Sequence, residues 1–187
     1  MIAIITGASS GMGREFAYQI DDKGYDEIWL IARRKDRLLE VKDKLKTPAK
    51  TLSLDLLADE SYDLLEERLR EDKAHIGLLI NAAGIGINEY FENTSLDKDE
   101  KVIDLNTKAP SKIIKIALPY MAKGSTIINI ASVSGFIPQP KFAVYAASKA
   151  YLISLSRALN RELRDRKIHV ATLCPVSYTH LTLPTKA

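Results

Sequence analysis

At 187 residues the chain fits one domain with room for a substantial buried core. Its 27 basic and 24 acidic residues leave a net charge of +3 and interleave along stretches such as 33–46 and 64–73, the pattern of solvated helix faces rather than the clustered basic stripe that nucleic-acid binding wants. A single cysteine, Cys174, excludes an intrachain disulfide and fits a reducing, cytoplasmic setting, and no apolar run approaches the roughly 20 residues of a membrane span, so neither nucleic acid nor membrane is an expected partner.

The first element is a short apolar strand, Ile2–Thr6, running straight into Thr6-Gly7-Ala8-Ser9-Ser10-Gly11-Met12-Gly13 and then a helix over about Gly13–Lys23. Glycines let the backbone turn tightly and approach a pyrophosphate, while the N–H groups and positive dipole end of the helix meet the anion. Gly7, Ser9, Ser10, Gly11, Met12 and Gly13 are therefore the expected phosphate cradle of a dinucleotide. The second strand, Glu27–Ala32, is followed by Arg33-Arg34. An NAD-preferring dinucleotide fold usually carries an Asp or Glu at this point to bond the ribose 2′-hydroxyl, whereas an Arg accommodates a 2′-phosphate. Ala32 cannot make the first contact and Arg33 can make the second, so NADP(H) is favoured over NAD(H); Arg34 is expected simply to open the charged helix Lys35–Leu45.

The alternation continues with a strand Lys50–Leu54 ending at Asp55 and Leu56, a helix Asp59–Glu71, a strand Ile76–Asn81 and a long helix Asp97–Met121. The remaining elements are a strand Thr126–Ala131, a helix Ala143–Asp165 and a strand His169–Cys174 closed by Pro175. Apolar strands separated by helices argue an α/β fold, a parallel sheet covered on both faces, in one dinucleotide-binding domain over 1–175. His75, His169 and His180 stand apart with no metal-ligand spacing, so no metal is expected.

Within the helix Ala143–Asp165, Tyr145 and Lys149 lie four residues apart and share one face. A free phenol ionises near a pH of about 10. An ammonium a few ångströms away favours the phenolate, so the pair can pass a proton to or from an alcohol or carbonyl oxygen. Ser132 lies thirteen residues before Tyr145, and the loop between them, with Phe136, Ile137, Phe142, Pro138 and Pro140, is expected to give a substrate an apolar border faced by residues 86–91.

Taken in order, Thr6-Gly7-x-x-x-Gly11-x-Gly13, Asn81-Ala82-Ala83-Gly84, Asn106, Ser132 and Tyr145-x-x-x-Lys149 resemble the pattern of the short-chain dehydrogenase/reductase family. The resemblance implies a Rossmann-type doubly wound sheet of order 3-2-1-4-5-6 and reversible hydride transfer between a nicotinamide cofactor and a carbonyl or secondary alcohol. It implies Tyr145 as general acid/base, Ser132 as the group that orients the substrate oxygen, and Lys149 as the cation beside Tyr145 that also holds the nicotinamide ribose, with Asn106, Tyr145 and Lys149 all bordering the bound cofactor. Asn106 would fix, through its backbone carbonyl, a water linking Lys149 to solvent. Asp55 with Leu56 would meet the adenine ring, Asn81-Ala82-Ala83-Gly84 would lie beside its ribose and steady the sheet, and Pro175 would border the cofactor. Family members commonly pair through the helices corresponding to Asp97–Met121 and Ala143–Asp165, which implies a homodimer or homotetramer for the full-length protein.

Beyond Pro175 the chain departs from the family, which continues with a substrate-covering segment, a further strand and a final helix. Val176-Ser177-Tyr178-Thr179-His180-Leu181-Thr182-Leu183-Pro184-Thr185 instead looks like the translated read-through of a sequencing-library adaptor, so 176–187 is expected to be an irregular, non-native tail. The competing function is a dinucleotide-binding or interaction module without catalysis, which would have no use for Ser132, Tyr145 and Lys149 together. A sugar-nucleotide epimerase of the extended branch fits less well, because three residues separate the first two glycines of the loop.

Overall fold

The computed structural model describes residues 1–176. The expected irregular tail lies, apart from Val176, outside the described residues.

Six strands form one parallel sheet: β1 (Ile2–Thr6), β2 (Glu27–Ala32), β3 (Ala49–Ser53), β4 (Ile76–Asn81), β5 (Met121–Ile130) and β6 (His169–Leu173), in the order β3-β2-β1-β4-β5-β6. The helices are α1 (Gly11–Ile20), α2 (Lys35–Lys42), α3 (Glu60–Glu71), α4 (Leu96–Ile103), α5 (Ala109–Ala117) and α6 (Ala143–Glu162). The expected doubly wound α/β sheet is the one formed. Its central strands are apolar at consecutive positions because both faces are covered. Ala3, Ile5, Ile28, Leu30, Leu78 and Ile80 pack with Ala17 of α1 and Leu38 and Val41 of α2. The alternate residues Ile4, Trp29, Ile31 and Leu79 pack with Tyr62, Leu65 and Leu69 of α3 and Ile113 and Ile114 of α5. Each such Leu or Ile contributes about 1.5–3 kcal/mol of burial, which is what holds the sheet against its conformational entropy.

β1 pairs with β2 on one side and β4 on the other, so successive crossovers leave in opposite directions and a crevice opens at the carboxyl ends of β1 and β4. There Thr6 Oγ1 accepts from the N–H groups of Ala82 and Ala83, each at 3.2 Å, and fastens the two strand ends together.

The long helix expected over Asp97–Met121 is broken. α4 gives way to one π turn over Asp104–Lys108, with the Ala109 N–H reaching back to the Asp104 carbonyl, before α5 begins. Pro110 explains the irregularity: it has no N–H, so the Asn106 carbonyl cannot receive its ordinary helical bond. Pro119 then ends the run in a single 3₁₀ turn, Leu118–Tyr120, and Met121 belongs to β5. β5 thus begins five residues before the expected Thr126, pairing Met121 with Ile76 and then, past Gly124 at φ +87°, Thr126 with Leu78. Other element ends lie within three residues of those expected, the scatter of fraying termini. No helix among the described residues is long and apolar enough to cross a membrane.

Candidate active site

The loop after β1 is built by close backbone approach. Gly7 has φ +68°, and a Cβ there would sit 2.7 Å from the Ala83 nitrogen. A Cβ on Gly13 would sit 2.4 Å from the Gly7 carbonyl oxygen, so the first turn of α1 packs directly on the loop. Ser10 precedes α1 without capping it by its side chain, and the first turn carries no acidic residue. The unsatisfied N–H groups and positive dipole end of α1 are therefore left for an external anion.

Beside this loop lies a cleft of about 320 Å³. Gly7, Ser9, Ser10, Gly11 and Met12 form one wall, Ala32, Arg33 and Arg34 another, Asp55 and Leu56 a third, and Ala82, Ala83 and Gly84 the fourth. These are the expected cofactor residues. Leu57, Ile85 and Leu105 join them, and the only sequence signal for these three was adjacency to Leu56, Gly84 and Asn106. Gly13 stands behind the loop as its support. Asn81 does not reach the cleft: its amide turns into the sheet and donates to Asn129 Oδ1 at 2.9 Å, and Asn129 in turn donates to Ser156 Oγ of α6 at 2.9 Å.

Arg34 is the main addition. Instead of merely opening α2, it holds an extended backbone (φ −87°, ψ 98°) ahead of the helix, and its guanidinium donates to Ser10 Oγ at 3.0 Å and Ser9 Oγ at 3.2 Å. Two guanidinium groups therefore border the end of β2 where a carboxylate would be needed to bond a ribose hydroxyl. Asp55 Oδ1 accepts from the Leu57 N–H at 3.1 Å and shapes the turn after β3.

On the far side of Gly84 lie Asn106, Tyr145 and Lys149. Asn106 sits in the π turn and is fully buried; its side chain accepts from the Ile85 N–H at 2.9 Å and donates to the Ile85 carbonyl at 2.8 Å and Ser148 Oγ at 3.0 Å. It thereby ties the loop after β4 to α6. Lys149 is 5 % exposed, with Nζ donating to the Ile130 carbonyl at 2.8 Å and lying 5.5 Å from the centre of the Tyr145 ring. Gly84 makes room for both: a Cβ there would stand 3.0 Å from Asn106 Oδ1 and 3.3 Å from Lys149 Nζ. Burial pushes the Lys149 ammonium down from 10.5 to about 8, against an opposing pull from Cys174.

Ser132 follows β5, is buried, and accepts from the Ser134 N–H at 3.2 Å. Pro175 lies next to it rather than in the cleft, with its carbonyl accepting from the Val133 N–H at 3.3 Å. The expected apolar border is divided. Phe142 packs on Tyr145 with ring centres 5.8 Å apart, and the loop after Gly86 is tied to it by the Glu89 N–H on the Lys141 carbonyl at 3.0 Å. Phe136 and Ile137 are instead exposed, with Phe136 turned toward Arg157 of α6 at 5.7 Å. Gly135, just before Phe136, packs closely on Ile153 and the α6 backbone, where a Cβ would collide.

The family model described as short chain dehydrogenase matches residues 1–182. An uncharacterised oxidoreductase of Staphylococcus epidermidis is 34 % identical over 176 residues, covering 93 % of this chain and 76 % of that protein. A bulky-bulky ketone specific alcohol dehydrogenase from Comamonas testosteroni is similar in structure, with a TM-score of 0.84 at 33 % identity over 98 % of this chain and 76 % of that one. A short-chain dehydrogenase/reductase from Burkholderia phymatum in complex with NAD gives a TM-score of 0.86 at 27 % identity, covering 94 % and 65 %. With the glycine-rich loop, the cleft at the switch point and these matches in hand, the chain belongs to the short-chain dehydrogenase/reductase family, nicotinamide-dependent oxidoreductases acting on CH–OH or C=O groups.

Proposed function

We propose that the site interconverts a carbonyl and a secondary alcohol with NADP(H), using Tyr145 as general acid/base. The observation that carries this is a buried ammonium, Lys149, held 5.5 Å from the centre of the Tyr145 ring on the same helix face. Holding a cation in so dry a place costs stability, and the ring beside it is the group that benefits. The nicotinamide, when bound, supplies the hydride to the carbonyl carbon or removes it from the alcohol. As charge builds on the substrate oxygen, the Tyr145 hydroxyl donates its proton to it; in the reverse direction the phenolate accepts one. Ser132 bonds the same oxygen and fixes its direction. Lys149 favours the phenolate by its charge and would hold the nicotinamide ribose as a donor. Asn106, whose carbonyl is released by Pro110 from ordinary helical bonding, anchors the water through which the proton on Lys149 is replaced.

The cofactor fit is supported by the uncapped start of α1, by the cleft and by its two guanidinium groups. Arg33 and Arg34 favour a 2′-phosphate, and no acidic side chain at the end of β2 favours a free 2′-hydroxyl. Self-association belongs to the same reading: Leu96 and Ile103 of α4 and Tyr151 of α6 are large side chains left exposed, the kind of surface a second copy covers in a homodimer or homotetramer. Tyr145→Phe is expected to lower carbonyl reduction with NADPH by at least about 10²-fold while leaving NADPH affinity unchanged. A variant that reduces carbonyls at the parent rate removes Tyr145 from the mechanism.

A further inference from the structure

We propose that Tyr62 is a positioning residue for the adenine end of the cofactor, acting through the carbonyl of Leu56; this rests on the cofactor assignment above. Asp55, Leu56 and Leu57 form one wall of the cleft, but they follow β3, the edge strand, which has a neighbour on one side only. A turn at a sheet edge lacks the second ladder that stiffens turns between central strands. Here the missing support comes from α3. Tyr62 is 4 % exposed, and its hydroxyl donates to the Leu56 carbonyl at 2.6 Å. Leu56 is itself buried, so the phenol satisfies an acceptor that water does not reach.

The ring is held from outside as well. Lys112 of α5 places Nζ 4.5 Å from the centre of the Tyr62 ring, and the same ammonium pairs with Asp59 at 2.6 Å, just ahead of α3. Lys108 approaches Asp59 at 3.7 Å. Burial, with the charges of Asp59, Asp104 and Asp55 acting in the same sense, pushes the Tyr62 phenol up to about 12, which favours the protonated, donating hydroxyl. The wall behind Leu56 is thus a stack: Leu56 carbonyl, Tyr62 ring, Lys112, Asp59. It backs the Asp55–Leu57 wall of the cleft, and none of the hydrogen bonds, ion pairs or ring contacts that build it involves Tyr145, Ser132 or Lys149. A residue with that placement should tune one half of the dinucleotide and leave the other alone.

The experiment is Tyr62→Phe in the 187-residue chain, with binding of two fragments measured by calorimetry or competition. Adenosine 2′,5′-bisphosphate carries the adenine and the 2′-phosphate; reduced nicotinamide mononucleotide carries the other half. The expected result is an adenosine bisphosphate dissociation constant raised about five- to tenfold, the scale of one lost buried hydrogen bond, with the mononucleotide unchanged. Amide exchange at Leu57 and Ala58 should also quicken without any ligand, because the turn they belong to has lost its anchor. Equal weakening of both fragments means that Tyr62 only stabilises the fold, and no weakening of either means that the hydroxyl does not position the wall; both overturn the proposal. A parent chain that binds neither fragment overturns the cofactor assignment itself, and that outcome is read from the parent alone.

Discussion

The two halves of the site are built in opposite ways. Around Gly7 and Gly13 the geometry belongs to the backbone: side chains are absent where they would collide, and a helix start is left uncapped for an anion. Around Lys149 the geometry belongs to side chains: a buried ammonium and a phenol from α6 meet an amide from the π turn across Gly84. The first arrangement is cheap, since backbone dipoles carry no net charge into the interior. The second is expensive, because among the described residues a desolvated cation has one hydrogen-bonded carbonyl to offset its lost hydration. Binding can be assembled from neutral parts, whereas proton transfer needs a charge kept where water would otherwise screen it.

Substitutions can break that contrast. Gly13→Ala forces a methyl against the Gly7 carbonyl oxygen and is expected to cost about 3 kcal/mol. For a chain of this size that is a fall in unfolding temperature of about 6–12 °C, accompanied by loss of the stabilisation NADPH gives the parent. Thermal unfolding with and without NADPH checks it, and a variant stabilised by NADPH as the parent is would show that the loop is not backbone-limited.

Lys149→Met tests the expensive half, and its effect runs the other way. The folded-state value near 8 lies below the 10.5 of the exposed group, so below pH 8 both states are protonated and the burial cost is present in full. Between 8 and 10.5 the unfolded chain holds more protons than the folded one, so stability climbs with pH until the cost is gone. That cost is about 3 kcal/mol, and methionine removes it while leaving the Ile130 carbonyl without its donor at about 1 kcal/mol. The variant without ligand should therefore be about 2 kcal/mol more stable than the parent at pH 7 and lose that margin by pH 10.5, even as it loses carbonyl reduction. Urea unfolding at the two pH values decides; an equal margin at both would mean that Lys149 carries no burial cost.

The smallest expected effect sharpens the comparison within the cofactor half. Arg34→Ala should weaken NADPH about tenfold through a lost charge-assisted bond and leave NADH unchanged, because Ser9 and Ser10 hold that guanidinium at the edge of the cleft. Arg33→Ala measured beside it shows how the two share the phosphate. Equal losses for NADPH and NADH would detach both arginines from 2′-phosphate recognition.

Much of this was legible before the structure. The continuous apolar runs of β1, β2 and β4 mark strands buried on both faces, and the glycines after β1 mark a close backbone approach whatever surrounds them. Pro110 already forbade a regular helix at Asn106, a signal that the run from 97 to 121 hid behind its apolar period. Arg34 could not have been separated from Arg33, since its hydroxyl partners are 24 and 25 residues earlier and reach it only when β1 and β2 lie side by side. Phe136 and Phe142 read alike in sequence, and only the packing of the folded chain separates them, one beside Arg157 and the other on Tyr145.

The sequence by itself determined the strand and helix types, the order of the motifs and the spacing of Tyr145 and Lys149, because these follow from local periodicity and backbone sterics. Only the tertiary structure decided that Lys149 is dry, that Asn106 spends its side chain on Ile85 and Ser148, that Arg34 lies over the loop and that Tyr62 supports the cleft wall. Burial and hydrogen-bond partners are set by segments tens of residues apart, and desolvation exists only once those segments have closed around the group.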